Sequence, residues 1–577
     1  MAPPTAVASR GVSPMAFRRN LVTVVSYLLL SIAFSWPLAL SPLRMHLSPQ
    51  FDMYSLAWLV HAAPGLDLTL TSPASAWPLG ESLVRADSFV LLFLARVLTP
   101  LVGPFVPIAL CVLVGPAVSA WAAERMAARA LGASWPASLI AGAAFAYSGL
   151  VATALLEGHV YTMFQPWLPL LAWKGLDASR GGGTPRDGAW AGVWWVLCLL
   201  TSAYTGIAAT LLVIVLAGAA VVRRAVDLRV AGAFGMVAGV GGLLYTAVFS
   251  TGGAAERLDR PEIRPAIRVV MDAGSTHFDT LAGWTATGDL FGHSITPSLG
   301  FTVLALVAFS PWLLRGTGGW RTVGVAGVVA LLLSFGPYLL VLSQGRTIVP
   351  GLLYPLGDFA PATFFRFPAR LMALAALGLG GLAAVAASRI ARRRPRAALV
   401  LVGFAFLDPL VQTSVWARGA RVPFAVPSAY RAAPEGLAVL DLVPTFMGQV
   451  GDLDLLMNNL TCAYQVDHDR PILSQCLGTG AEAGPRPRVT GWLIQALSEE
   501  TPGTAQTLGE LGVGAVAFHP GLFVPSDRAR LTAALVAVFG APLASSVDGG
   551  ERIELYGVPL VESTMRSRQE AFAALSW

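Results

Sequence analysis

Charge is what this chain has least of. Asp, Glu, Lys and Arg make up 12% of its 577 residues, about half the share of a water-soluble domain. With 55% hydrophobic residues and a mean hydropathy of +0.64, a soluble globule is excluded and the bilayer becomes the solvent. The middles of most apolar runs hold no ionisable residue, Asp408 in AFLDPLVQ being the main exception. A charge at the bilayer centre costs roughly 2.5–3.5 kcal/mol by insertion scales, and an ion-coupled transporter would place such groups near the midplane. Their scarcity argues against that class. No HxH or HExxH pair is present, so a divalent metal has only weak support and no cofactor is expected. Neither a repeat of fixed period nor a long low-complexity tract appears, and GGGTP at 181–185 is a short flexible loop.

What is there is a ladder of apolar segments. The runs at 20–40, 105–123, 135–153, 161–176, 189–204, 205–222, 230–250, 298–314, 322–342, 368–388 and 396–414 read as about eleven membrane spans. The first follows Arg18 and Arg19, is about twenty residues long and has no small-x-small cleavage site after it, which reads as an uncleaved anchor. Segment 88–102 is short, carries Arg96 and is broken by Pro100, so it reads as a helix at the outer interface or entering it partway. From a cytoplasmic N-terminal tail, 1–19, the alternate connections collect Arg125 and Arg129; Lys174, Arg180 and Arg186; Arg223, Arg224 and Arg229; Arg315 and Arg321; and RIARRRPR at 389–396. Those are the cytoplasmic loops by the positive-inside rule. The net charge of +6 and pI near 9.3 are therefore topology, and no nucleic-acid partner is expected.

The expected fold is an all-α polytopic membrane domain over 20–414, with outer loops 41–104 and 251–297, followed by a small extracytoplasmic α/β domain over 415–577. In that tail GLAVLDLV, VGAVAFH and RIELYGV read as strands, and WLIQALSEE and RARLTAALVAVF as helices. Of four cysteines, Cys111 and Cys198 lie in apolar runs, whereas Cys462 and Cys476 lie in the tail. Outside the cytoplasm the second pair can form a disulfide; two free thiols are the alternative. Abundant Ala, Gly, Arg and Pro fit a GC-rich bacterial source, hence a bacterial inner (cytoplasmic) membrane.

An enzyme with a membrane-dissolved substrate needs polar groups at one interface, and the outer loops supply them. Asp52 opens the amphipathic, aromatic-rich stretch SPQFDMYSLAWLVHA, where a carboxylate can take a proton from an acceptor hydroxyl; a helix N-cap is the competing role. LLEGHVYTMFQPW brings Glu157 and His159 to the outer end of the third span. There His159 can donate to a phosphate or sugar hydroxyl, and Glu157 can bind a hydroxyl or a divalent cation; a capped interfacial turn is the alternative. Arg366 and Arg370, in FFRFPAR, sit where a long outer loop re-enters the bilayer. A guanidinium there can grip a lipid phosphate through two hydrogen bonds and stabilise its departing charge, against plain interfacial snorkelling. Arg264 and Arg268 are runners-up beside Glu256, Asp259 and Glu262. Trp58, with Trp77, Trp167 and Trp284, offers an indole face to a sugar ring or anchors the chain at the interface. VDHDRP, with Asp467, His468 and Asp469, is either an acidic binding loop or a solvated turn.

Four phrases in order resemble the GT-C superfamily of membrane glycosyltransferases, and above all bacterial members with a C-terminal outer domain. They are FDMYSLAWLVHA, WPLGESL at 77–83, AGAAFAYSGLVATALLEGHVYTMFQPWLPLLAW at 141–173 and FFRFPARLMALAALGLGGLAA at 364–384. The resemblance implies transfer of a sugar from a polyprenyl-phosphate-linked donor to an envelope glycan, lipid or protein acceptor, with Asp52 as catalytic base or acceptor-positioning group. Members that transfer aminoarabinose or mannose often carry an adjacent Asp-Glu pair, whereas Met53 follows Asp52 here. That departure keeps a non-catalytic scaffold or glycan- and partner-binding protein of the envelope as one alternative. A lipid or polysaccharide transporter is the other.

Overall fold

The structure is a computed structural model. It describes residues 14–36, 58, 61–62, 71–72, 75–79, 81–82, 89–103, 105–157, 163–251, 287–288, 294–295, 298–314, 319–336, 338–341, 347–350, 353, 368–416, 426–444, 460–462, 464–474, 476, 485–548 and 551–575.

The described residues up to Trp416 are chiefly helical. In chain order the helices are α1 (Pro14–Phe34), α2 (Phe89–Val102), α3 (Phe105–Arg129), α4 (Leu139–Ala146), α5 (Gly149–Glu157), α6 (Trp167–Asp177), α7 (Pro185–Thr201), α8 (Ala203–Val222), α9 (Leu228–Thr251), α10 (Phe301–Leu313), α11 (Gly319–Ser334), α12 (Met372–Arg393) and α13 (Pro395–Trp416). Among the described residues, five stretches are long and apolar enough to cross a membrane: Phe17–Phe34, Val106–Arg129, Ala203–Val222, Leu228–Ala247 and Pro368–Arg393. Helices α2, α10 and α11 are shorter apolar helices.

Helix α12 is the central post of the bundle, with every residue from Met372 to Ser388 buried. Its Ala- and Gly-rich run lets neighbours approach closely, as lipid-embedded helices without a hydrophobic driving force require. A Cβ on Gly378 would stand 2.5 Å from the Val323 carbonyl oxygen and 2.6 Å from Gly327 Cα, and one on Gly380 would stand 2.7 Å from Ala144 Cβ. Helices α11 and α4 therefore both lie directly on α12.

Five of the eleven expected spans thus correspond to helices long and apolar enough to cross a membrane among the described residues, which does not establish the count of eleven; three of the runs are broken or shortened, each for a local reason. The run 135–153 is two helices, α4 and α5, separated at Tyr147 and Ser148; there the Gly149 N–H turns away to donate to Ser298 O at 3.0 Å. In the run 161–176 the α-helix starts at Trp167, after Pro166, because proline suits the start of a helix and not its interior. The run 322–342 ends at Ser334: Gly336 has φ +72°, and Tyr338–Val341 (β5) pairs antiparallel with Thr347–Pro350 (β6). Two shorter hairpins precede it, Thr71–Ser72 (β1) with Glu81–Ser82 (β2) and Thr287–Gly288 (β3) with Ser294–Ile295 (β4). The adjoining spans 189–204 and 205–222 correspond to α7 and α8, parted at Ser202, whose extended backbone and side chain cap α8 through Tyr204 N.

Residues 426–575 hold a four-stranded sheet of order β7 (Ala438–Leu442), β8 (Val513–Phe518), β10 (Glu551–Gly557), β9 (Ala544–Asp548). β7 and β8 run parallel, and the other two pairings are antiparallel. The alternation of a strand sorts its side chains to two faces. Leu440, Leu442, Val516, Phe518 and Tyr556 pack in one cluster with α14 (Pro485–Ser498), α15 (Thr504–Glu510), α16 (Pro525–Phe539) and α17 (Met565–Ala574). Val439, Ala515, Ala517, Ile553 and Leu555 pack on the other face against Tyr430 and Tyr464. β7 and β8 are buried throughout, whereas the edge strand β9 is half exposed.

Candidate functional site

Several buried polar groups gather at the break between α4 and α5. Ser119 on α3 accepts from Gln165 N at 2.9 Å and donates to Met163 O at 3.3 Å. Ser148, at the break itself, Gln165 and Ala373 near the start of α12 line one small cavity with Ser119. Its volume of about 10 Å³ holds about one water. Ser298 is buried, and its Oγ has no hydrogen-bond partner among the described residues. The stretch between Gly149 and Gln165, which contains Glu157 and His159, is thus tied at one end by Ser298 and at the other by Ser119. Glu157 is the last residue of α5; its side chain and His159 lie outside the described residues.

Arg370 lies in the single 3-10 turn Pro368–Leu371 that leads into α12, and Ala373 of the cavity is three residues further on. Its guanidinium sits 4.5 Å from the ring centroid of Tyr204 in the first turn of α8, a cation–π contact that fixes the cation's direction. Arg370 is half-buried. Asp52, Arg366, Trp284, Arg264 and Arg268 lie outside the described residues. Trp58 is fully buried in the bundle's apolar cluster, and its indole Nε1 has no hydrogen-bond partner among the described residues. Trp167 stacks on Trp194 at 5.6 Å, and Trp194 on Trp190 at 5.3 Å.

Trp77 is placed differently from a surface aromatic. It is 6% exposed and belongs to the core of the C-terminal sheet unit. Its indole N–H donates to Leu511 O at 2.9 Å, and the Arg568 guanidinium covers the ring at 5.1 Å. His61, in the same α1–α2 connection, meets Asp469 Oδ1 at 3.2 Å, and Asp467 lies 3.8 Å from Arg431. The VDHDRP segment therefore touches both the α1–α2 connection and the sheet unit, with Asp467 and Asp469 themselves exposed. His468 between them is buried and stacks on Tyr430 at 5.1 Å. Burial pushes its imidazole down to about 4, with Asp441 pulling the other way and Arg470 reinforcing the shift.

Sequence reasoning missed two further polar groups. Tyr430 OH donates to Asp441 Oδ1, and His519 Nε2 lies 3.2 Å from the same oxygen, all three side chains being buried at the carboxyl ends of β7 and β8. Within the bundle Glu124 and Arg125 are buried in α3, where Ser138 donates to Glu124 at 3.0 Å and Arg125 donates to Asn20. Arg125 Nε also stands 3.3 Å from Glu124 Oε2. A lone Asp or His in a strand, and an Arg at a span end, carry no pattern that marks them as partners. No group of three or more His, Cys, Asp or Glu able to hold a metal occurs among the described residues. Cys462 and Cys476 are disulfide-bonded with Cα atoms 5.7 Å apart, whereas Cys111 and Cys198 are free and buried.

No family model and no curated protein sequence matches the chain. Solved structures do. The mycobacterial arabinofuranosyltransferase AftD, as its R1389S mutant, superposes with a TM-score of 0.56 at 17% identity, covering 95% of this chain and 42% of that one. ArnT from Cupriavidus metallidurans, bound to undecaprenyl phosphate, superposes with a TM-score of 0.51 at 12% identity, covering 94% of this chain and 98% of that one. The chain thus spans well under half the length of AftD and nearly all of ArnT. These neighbours are GT-C membrane glycosyltransferases, and the fold they share with this chain is the GT-C fold.

Proposed function

We propose that this chain is an inverting membrane glycosyltransferase that moves a sugar from a polyprenyl-phosphate-linked donor to an extracytoplasmic glycan, lipid or protein. The observation that carries the reading is the end-to-end likeness to ArnT, a protein whose structure holds undecaprenyl phosphate. Arg370, held on Tyr204 at the entry of α12, supplies a cation for such a phosphate at the point where the outer loop rejoins the bundle.

In the proposed reaction the acceptor hydroxyl oxygen attacks the anomeric carbon while the bond from that carbon to the phosphate oxygen breaks. Asp52 receives the hydroxyl proton, and the electron pair leaves with the polyprenyl phosphate, whose charge Arg370 and Arg366 stabilise. Glu157 and His159 hold sugar or phosphate oxygens beside it. Trp58 is fully buried in the bundle's apolar cluster, so stacking on a sugar requires it to be uncovered. With this goes a proposed topology of about eleven spans in a bacterial inner membrane, N-terminus in the cytoplasm and sheet unit outside, which the arginine-rich connections support. The disulfide supports an oxidising location for the sheet unit.

Deleting the gene and comparing cell-envelope glycans and lipid-linked sugars by mass spectrometry tests this. The reading expects one sugar to vanish from the envelope while its lipid-linked form accumulates; no change in either would overturn it. A second reading, an envelope scaffold without catalysis, is favoured by Met53 beside Asp52 and predicts no change in either pool.

A further inference from the structure

The described turn 75–79 of the first outer loop is joined to the C-terminal sheet unit. Ala76 N donates to Ser474 O at 2.8 Å and Trp77 N to Ile472 O at 3.1 Å. Ile472 in turn bridges Val439 of β7 in parallel, and Val439 N donates to Pro471 O at 2.8 Å. The order across this end of the unit is therefore outer-loop turn, segment 472–474, β7, β8. The contact is more than edge-on. The Trp77 side chain fills the sheet unit's core, and Gln569 donates to Pro78 O at 3.2 Å.

The middle strip faces the other way as well. Cys462, Ile472 and Cys476 belong to the buried cluster of the membrane helices, whereas Leu473 belongs to the cluster of the sheet unit. The Cys462–Cys476 bond closes this strip into a loop. A strip with one side in the bundle and the other in the sheet, closed by a covalent bond, cannot shift without opening both cores. Trp58 and His61 pin the same outer loop to the bundle cluster and to Asp469.

We propose that the C-terminal unit is the holder of the first outer loop, with Trp77 as a positioning residue and the disulfide-closed segment 460–476 as the adaptor between bundle, loop and sheet. The unit is thereby part of the transfer machinery and no free-standing binding module. The functional half of this proposal rests on the reading that the loop preceding Trp77, which includes Asp52 in sequence, serves the acceptor side; the structural half does not.

Hydrogen–deuterium exchange on the full chain in lipid nanodiscs tests it with Trp77→Phe, Trp77→Ala and the Cys462→Ser/Cys476→Ser pair. Trp77→Phe keeps the apolar plug and removes one hydrogen bond, so residues 71–82 should exchange about fivefold faster. Trp77→Ala should raise their exchange on the order of a hundredfold, and the cysteine pair should also free them, while β8 stays protected in all three. If Trp77→Ala melts β8 as well, Trp77→Phe alone decides. Wild-type exchange at 71–82 in Trp77→Phe and in the cysteine pair overturns the proposal, whatever the glycans do. In cells at equal protein level, Trp77→Ala should lose the transferred sugar and Trp77→Phe should restore it. A loosened loop in cells where even gene deletion removes no sugar leaves the holder standing and refutes the transferase reading.

Discussion

Thr302 donates its backbone N–H to Asp408 Oδ2 at 2.8 Å. The one aspartate in the middle of a membrane run is thereby the cap of α10, reaching from α13 to the first turn of a helix that starts after Gly300 at φ +81°. A carboxylate satisfied by a free helix amide is a structural group. It removes the main residue on which a transporter reading rested. Asp408→Asn keeps an acceptor oxygen and should leave both thermal stability and envelope glycans unchanged. Asp408→Ala should cost about 1 kcal/mol in stability, read as a lower melting temperature in detergent, and should also leave the sugar in place.

Packing at Gly378 leaves no room for a side chain, since its Cβ would meet backbone atoms of α11 at 2.5–2.6 Å. Backbone cannot rotate aside as a side chain can. Gly378→Ala should destabilise the bundle by about 1–3 kcal/mol, and Gly403, with nothing within 4 Å of its would-be Cβ, is the matched control that should tolerate Ala. Equal melting temperatures for the two variants would contradict the packing of α12 on α11.

The sheet unit should weaken in acid through His468. Its folded-state pKa of about 4 lies below the unfolded value of roughly 6.5. Between those values the unfolded chain holds more protons, so the contribution is complete above pH 6.5 and is lost as pH falls toward 4. The full effect is about 3 kcal/mol. Exchange protection of β8 at pH 7 and at pH 5 reads it, and His468→Phe, which keeps a ring on Tyr430, should flatten the pH dependence. A wild-type unit equally protected at both values would refute it.

Arg370 should matter more to the lipid phosphate than to folding, to which it contributes its contact with Tyr204. Arg370→Ala should weaken undecaprenyl phosphate binding to the nanodisc-embedded chain by roughly 10- to 100-fold, with the melting temperature little changed. Lys in its place keeps the charge but loses the planar, bidentate fork, so most of the loss should persist. Native mass spectrometry with undecaprenyl phosphate measures both.

Much of the architecture was legible in the residues because long apolar runs and a period of two leave few alternatives. Strands β7, β8 and β10 fall within a residue or two of GLAVLDLV, VGAVAFH and RIELYGV. The edge strand ASSVD passed unnoticed because a half-exposed strand need not be apolar. The break at Tyr147 and Ser148 was hidden because apolar residues flank it on both sides; only the distant Ser298 carbonyl explains it. At the site, spacing could put Arg370 beside re-entry to the bundle but could not supply Tyr204, which lies 166 positions earlier. Trp77 was read as a surface aromatic because an indole in a turn looks the same in sequence whether it meets a sugar, a lipid interface or the core of another unit.

The most direct test of the central claim is the envelope glycan profile of a deletion strain complemented with wild type or with Asp52→Asn, at equal protein level. Asparagine keeps the size and a hydrogen-bonding oxygen but cannot take the hydroxyl proton. The account predicts that wild type restores the missing sugar and Asp52→Asn does not. Full restoration by Asp52→Asn would contradict it.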